Sequence, residues 1–259
     1  MEHRDEIVQV LLDAETGRKE INRITAKYPD LLVEEAYEIQ SALVHRKLAS
    51  GSVIVGPKMG LTSEAKMKQM NVNEPIYGYI FDYMKISNGG NISMSELIHP
   101  KVEAELAFIL KQDLGGDNLS IDDVLQATQY IAPALEIIDS RYKDFKFTLP
   151  DVIADNTSAS RVVFGDRITI PTEIEVDSVG VTISFNGKAN TYGTSSAVLG
   201  HPASSIAMLA EMLHRKGQKL RAGEIVLSGA ITEAVLFKEG DYVSVKFDGL
   251  GEVSFNAVV

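Results

Sequence analysis

His99-Pro100-Lys101-Val102-Glu103-Ala104-Glu105-Leu106-Ala107-Phe108-Ile109-Leu110 decides how this chain is read. From Val102 to Leu110 every residue is apolar except Glu103 and Glu105. That pattern predicts a central strand. In a strand alternate side chains share a face, so Glu103 and Glu105 point the same way, with Cα atoms roughly 6.5–7 Å apart. Two readings fit. The strand has one solvated face on which glutamates are ordinary, or it is buried and something offsets two like charges on one side. A hard divalent cation such as Mg²⁺ or Mn²⁺ is the simplest such partner, because these ions take carboxylate and water oxygens.

A second apolar run carries another carboxylate. Ile131-Ala132-Pro133-Ala134-Leu135-Glu136-Ile137-Ile138-Asp139-Ser140-Arg141 sets Glu136 between Leu135 and Ile137, a poor setting for a solvated helix face. The plain alternative pairs Glu136 or Asp139 with Arg141 as a structural ion pair, and for Asp139 that reading stands level with a catalytic one. Lys58, in Gly56-Pro57-Lys58-Met59-Gly60-Leu61-Thr62, follows a short predicted strand Val53-Ile54-Val55 and lies between glycines that allow close approach of a ligand. Asp155 and Ser158 fall in a stretch, Asp151 to Ser160, that reads either as a turn or as the lining of a polar cavity.

Outward from these segments the texture divides the chain. Residues 1–52 are predicted helical: Ile7, Val8, Leu11 and Leu12 recur at helical spacing, as do Ala36, Ile39, Leu43, Val44 and Leu48, with a stop at Ser50-Gly51. Residues 53–259 read as an α+β body rich in mixed or antiparallel strands. Asn88-Gly89-Gly90-Asn91 and Asn186-Gly187 mark turns, the second a hairpin. Helices are predicted over Ile121 to Tyr130 and from His201-Pro202 to about Lys216, with His201 a helix-terminus residue. Closing strands are expected at Glu224 to Ser228, Tyr242 to Phe247 and Val253 to Ala257. The elements do not alternate as βαβ, which argues against Rossmann and TIM-barrel folds.

Bulk properties narrow the chemistry. The 259 residues are 45% hydrophobic and 24% charged, with no cysteine, so thiolate nucleophiles and cysteine metal sites are excluded. The net charge of −11 argues against a nucleic-acid binder, no apolar run is long enough to span a membrane, and the polar, acidic start is unlike a targeting peptide. A cytoplasmic protein is expected. Ser228-Gly229-Ala230 lacks a nucleophile-elbow pattern, which argues against serine hydrolase chemistry.

Taken together, Lys58-Met59-Gly60-Leu61-Thr62, Val102-Glu103-Ala104-Glu105, Pro133-Ala134-Leu135-Glu136, Val152 to Ser158 and Leu199-Gly200-His201-Pro202 resemble the 2-keto-4-pentenoate hydratase and 4-oxalocrotonate decarboxylase family, within the fumarylacetoacetase-like superfamily. The resemblance implies a fumarylacetoacetase-like, β-rich mixed-sheet body with a small helical N-terminal region. It also implies a Mg²⁺ or Mn²⁺ site whose ligands fall on Glu103, Glu105 and Glu136. Asp139 and the stretch Arg141 to Pro150 are more similar to the decarboxylases than to the hydratases, which implies decarboxylation of 2-oxo-3-hexenedioate, with hydration of 2-hydroxypenta-2,4-dienoate as the alternative. On this reading Lys58, Asp82, Asp139 and Asp155 are candidates for orientation or proton transfer. Lys58, Gly60, Leu61, Arg141 and Ser158 are candidates for substrate contact, with cations of the 141–146 stretch meeting the second carboxylate. A homo-oligomer is expected, and with it an association with the pathway's hydratase. A non-catalytic subunit is the third reading, and three intact carboxylates argue against it.

Overall fold

The structure, a computed structural model, describes residues 3–70 and 72–259. In chain order the helices and strands are α1 (Arg4–Gly17), α2 (Ile24–Lys27), α3 (Val33–Ala49), β1 (Ile54–Gly60), α4 (Glu64–Met70), β2 (Ile76–Phe81), β3 (Lys85–Ile86), β4 (Gly90–Ser93), β5 (Pro100–Leu110), α5 (Ile121–Ala127), β6 (Thr128–Asp139), α6 (Leu149–Ala154), β7 (Ala159–Phe164), β8 (Gly180–Phe185), β9 (Lys188–Thr194), α7 (Pro202–His214), β10 (Ile225–Leu227), β11 (Val235–Leu236), β12 (Tyr242–Phe247) and β13 (Gly251–Val258). Among the described residues the strands form two sheets. The larger runs β2-β1-β10-β5-β6-β7-β3, with β11 beside β5; the smaller runs β4-β13-β12-β8-β9. Pairing is mostly antiparallel, with parallel pairs at β1–β10, β3–β7 and β4–β13. The predicted α+β body of mixed sheets is what the chain forms.

The larger sheet is covered on both faces, which explains why β5 reads as apolar throughout. Val102, Ala104, Leu106 and Phe108 of β5 pack with Leu135 and Ile137 of β6 against the smaller sheet, through Val181, Ile183, Val243, Val253 and Phe255, and against α7. The opposite face of the same strands carries Ala107, Ala132 and Ala134, packed with Ile80, Phe81, Val162 and Leu227. Glu103, Glu105 and Glu136 stand on this second face. The N-terminal helices add a further layer, in which Ile7, Leu11, Ile39 and Leu43 pack with Val152, Ile153 and Ala154 of α6.

Two boundaries differ from the sequence reading, and two helices are additional to it. β1 does not stop at Gly56-Pro57 but runs through them to Gly60, so Lys58 lies on a strand and not in the loop after it. A register shift between Ile54 and Gly56 admits the proline, and Gly56 passes so close to Ile225 that a Cβ there would stand 2.1 Å from its carbonyl oxygen. The helix predicted over Ile121 to Tyr130 ends at Ala127, because Thr128 onward enters the ladder with β5. Its start is as expected: Ser120 caps it, and Asp123 accepts from the Ser120 amide. α4 and α6 carry no helical expectation in the sequence reading. The hairpin at Asn186-Gly187 forms with both residues left-handed (φ 52° and 78°), as a tight two-residue turn demands.

Candidate active site

Register builds the site. β5 and β6 pair so that Glu103 lies directly opposite Glu136, and Glu105 opposite Ala134. Two cross-strand neighbours and one residue two places along therefore point to one side. Glu105 and Glu136 are each 1% exposed and Glu103 is 8% exposed, so the buried reading of this strand is the one that holds. Lys58 comes to the same place from β1, 3% exposed, with its Nζ 2.8 Å from Glu136 Oε2 and 3.3 Å from the Thr157 carbonyl oxygen. The Gly229 amide donates to Glu105 Oε2 at 2.8 Å.

Among the described side chains, Lys58 is the ammonium paired with this carboxylate cluster. Burial raises Glu105 well above the usual carboxylate range, and the neighbouring Glu136 charge raises it further. Burial likewise raises Glu136, against the pull of Lys58. Burial alone would lower the Lys58 ammonium, but Glu136, Glu105 and Glu103 outweigh it and hold Lys58 above its ordinary value.

Among the described residues, three buried oxygens at the site have no hydrogen-bond partner: Glu136 Oε1, Thr157 Oγ1 and Ser158 Oγ. Buried polar atoms are nearly always satisfied, so orphans gathered in one place mark where a ligand binds. Thr157 and Ser158 line a cavity of about 340 Å³, together with Lys58, Gly60, Leu61, Lys101, Glu103, Ile138, Phe145, Phe147 and Val152, among others. The donor set fits a hard divalent cation: it is all-oxygen and buried. As the side chains stand, the ion pair with Lys58 offsets Glu136, and among the described residues no three acidic or imidazole groups are gathered at coordinating distance.

The turn after α6 forms one wall. Asn156, Thr157 and Ser158 are all left-handed (φ 49°, 51° and 58°), a conformation that costs a non-glycine residue about 1–2 kcal/mol. The surroundings impose it. Tyr79 of β2 donates its amide to Asn156 Oδ1 and accepts from Asn156 Nδ2, at 2.8 and 2.9 Å. Beneath the turn, Arg141 pairs with Asp155 through Nε and reaches the carbonyl oxygens of Asp155, Asp139 and Ala159. Burial raises Asp155 to about 7 even so. Strain held by its neighbours is characteristic of functional sites.

The sequence candidates therefore separate. Lys58, Glu103, Glu105, Glu136, Gly60, Leu61 and Ser158 come together at the cavity or its carboxylate end. Arg141 and Asp155 do not line it; they support the turn that does. Asp139 is an odd-numbered residue on β6, three after Glu136, and so belongs to the other face, where it accepts from the Ile98 and His99 amides. Neither ion pair imagined from sequence forms, since Arg141 takes Asp155 and Glu136 takes Lys58. Asp82 is exposed and accepts from the Val53 amide at 2.9 Å, away from the cluster. Lys143 and Lys146 are exposed; their stretch delivers the rings of Phe145 and Phe147 instead. Lys101 and Thr157 escaped the sequence reading. Strand parity was the available signal for Lys101, two residues before Glu103. His201 accepts from the Ala203 amide as an N-cap, as expected.

Comparison with known proteins identifies the chain's relatives. Residues 58–258 match the model of the fumarylacetoacetate (FAA) hydrolase C-terminal family. The chain is 42% identical over 254 residues to 4-oxalocrotonate decarboxylase of Pseudomonas sp. strain CF600, covering 97% of this chain and 96% of that one. It is 38% identical over 252 residues to a 2-keto-4-pentenoate hydratase of Paraburkholderia xenovorans strain LB400, covering 97% and 94%. Among solved structures, 4-oxalocrotonate decarboxylase from Pseudomonas putida G7, complexed with magnesium and adipate, superposes with a TM-score of 0.97 at 41% identity, over 99% of this chain and 98% of that one. The carboxylate-lined cavity lies within the matched span, and the chain belongs to the fumarylacetoacetate (FAA) hydrolase C-terminal family.

Proposed function

We propose that this chain decarboxylates 2-oxo-3-hexenedioate to 2-hydroxypenta-2,4-dienoate, using Mg²⁺ or Mn²⁺ held by Glu103, Glu105 and Glu136. The observation that carries the reading is the gathering of three buried carboxylates at one end of a cavity whose other walls are largely apolar. The 4-oxalocrotonate decarboxylases at 42% and 44% identity support the choice of reaction, and the magnesium of the solved relative supports the choice of ion. Bound there, a divalent cation supplies Lewis-acid polarisation of the 2-oxo group.

The reaction itself is a shift of electron pairs. The C5–C6 bond breaks and C6 leaves as CO₂. The released pair becomes the C4–C5 double bond, the C3–C4 pair moves to C2–C3, and the carbonyl pair comes to rest on the C2 oxygen, which takes up a proton. The chain's residues position and shield these events. Lys58 Nζ, fixed between Glu136 and the Thr157 carbonyl, presents an N–H beside the carboxylate cluster and orients an oxygen of the substrate. Ile138, Phe145, Phe147 and Val152 exclude water from the diene and favour loss of a charged carboxylate as a neutral gas.

Hydration of 2-hydroxypenta-2,4-dienoate is the second reading, favoured by the hydratases at 38% identity. Supplying each substrate with Mg²⁺ and following CO₂ against the hydroxy acid separates the two. Hydroxy acid formed with no CO₂ from the dicarboxylate would overturn the decarboxylase assignment.

A further inference from the structure

Among the described residues two ammonium groups line the cavity, and they are not equivalent. Lys58 is committed to Glu136. Lys101 is not committed to any carboxylate among the described residues. It stands on β5 two places before Glu103, on the same side of the strand, opposite Ile138 of β6 and Leu236 of β11. It is half-buried, with Nζ 4.1 Å from the centroid of the Phe145 ring. The ring face attracts and steadies the cation without neutralising it. Ile138, Phe145 and Phe147 surround this end with apolar surface. Carboxylates that gather the 2-oxo end and an ammonium elsewhere on the same cavity are together the complement of a dicarboxylate.

We propose that Lys101 receives the far carboxylate of the substrate and selects dicarboxylates over monocarboxylates, with Phe145 holding its ammonium in place. The inference rests on the function proposed above and names what recognises the second acid group there. It also carries a kinetic consequence. The carboxylate bound by Lys101 is the one that leaves, and its charge vanishes as C6 becomes CO₂. A cation on that group therefore holds the bound substrate more firmly than the transition state, and so supports affinity rather than rate. A half-exposed ammonium shared with a ring is a weak enough partner for CO₂ to depart. The five-carbon product no longer has the group that Lys101 grips, which favours its release. The hydratase substrate lacks that group from the start.

The test compares binding of 2-oxohexanedioate and 2-oxohexanoate, which differ only at the far end, to the full chain in excess Mg²⁺ by titration calorimetry. Wild type is expected to prefer the diacid by about tenfold or more, Lys101→Gln to lose that preference, and Lys101→Arg to keep most of it. Phe145→Leu, which leaves the ammonium but removes its ring, is expected to lose part of it. In turnover, Lys101→Gln is expected to raise KM for the dicarboxylate about tenfold while kcat stays level or rises. A Lys101→Gln protein with the wild-type preference, or with kcat collapsed at unchanged KM, would overturn the inference alone. Wild type that binds neither probe and releases no CO₂ would remove the proposed function itself, and this inference with it.

Discussion

Replacing Gly78 by alanine adds one methyl group behind the wall of the cavity. Gly78 lies in β2, in register with Lys58 of β1. A Cβ built there stands 2.3 Å from Thr157 Oγ1, 2.7 Å from the Asn156 carbonyl oxygen and 2.9 Å from Asn156 Oδ1. Ordinary contact begins near 3.4 Å, so the turn must retreat by on the order of 1 Å from the strand that anchors it. Overpacking of this kind costs about 1–3 kcal/mol, and restricting the unfolded chain recovers about 0.5–1 kcal/mol. The net loss of about 1–2 kcal/mol corresponds to a fall in Tm of roughly 2–8 °C for a chain of this size. The larger effect falls on activity. The same shift moves the Thr157 carbonyl that steadies Lys58, and Ser158 beside it. A 1 Å misplacement of positioning groups costs about 100-fold in rate. Steady-state kinetics on the dicarboxylate with thermal unfolding of the same preparation checks both numbers. Gly78→Ala with kcat/KM within about twofold of wild type and an unchanged Tm would refute the claim that this turn positions the site.

Other perturbations separate ligands from supports. Glu105→Gln is expected to lower kcat/KM by on the order of 100-fold or more and to abolish the rise in Tm that Mg²⁺ gives wild type. Without metal the same variant should be the more stable protein near neutral pH, because burial and Glu136 make an ionised Glu105 costly, and a metal-responsive variant would strike Glu105 from the ligand set. For Asp155, raised by burial from 3.8 to about 7, the stabilising contribution is complete below 3.8 and is lost as pH rises through about 7. Asp155→Asn, neutral throughout, should therefore lose less stability between about pH 5 and about pH 8 than wild type, by urea unfolding; an identical slope would contradict this. Asp82→Ala removes one acceptor from the Val53 amide, so it should cost about 1 kcal/mol and leave kcat/KM within about twofold, and a large loss of activity would return Asp82 to the site.

What could be read from the sequence was what period and local chemistry encode. The alternation of β5 put Glu103 and Glu105 on one side, and the apolar flanks of Glu136 marked it as buried. Asn186-Gly187, Ser120 and His201 declare a hairpin and two helix starts by requirements that do not depend on the rest of the fold. Pairing is a different matter. That Glu136 faces Glu103 follows from a register fixed by twelve residues of β6 lying along eleven of β5, and no local feature states it. Strand parity was legible but unused: it separates Asp139 from Glu136 and joins Lys101 to Glu103. The three left-handed residues at 156–158 were hidden, because asparagine, threonine and serine also suit ordinary turns. Their conformation is set by Tyr79, Arg141 and the space above Gly78, all distant in sequence.

Gln40 of α3 bears on how much of the chain the site needs. Its side-chain amide donates to the carbonyl oxygens of Tyr77 in β2 and Ile153 in α6, at 2.8 and 3.0 Å. One residue of the N-terminal helices thus clips together the strand and the helix between which the left-handed turn is suspended. Asp151 does the same from the other side, accepting from Thr25 of α2 and from Thr148. The span shared with the family begins at residue 58, after both helices that provide these ties. A fragment cut to that span would keep every carboxylate and Lys58, yet expose Val152 and Ile153 to water and leave the wall of the cavity without its fastening. The helices that look peripheral in sequence are the frame in which the shared machinery is hung.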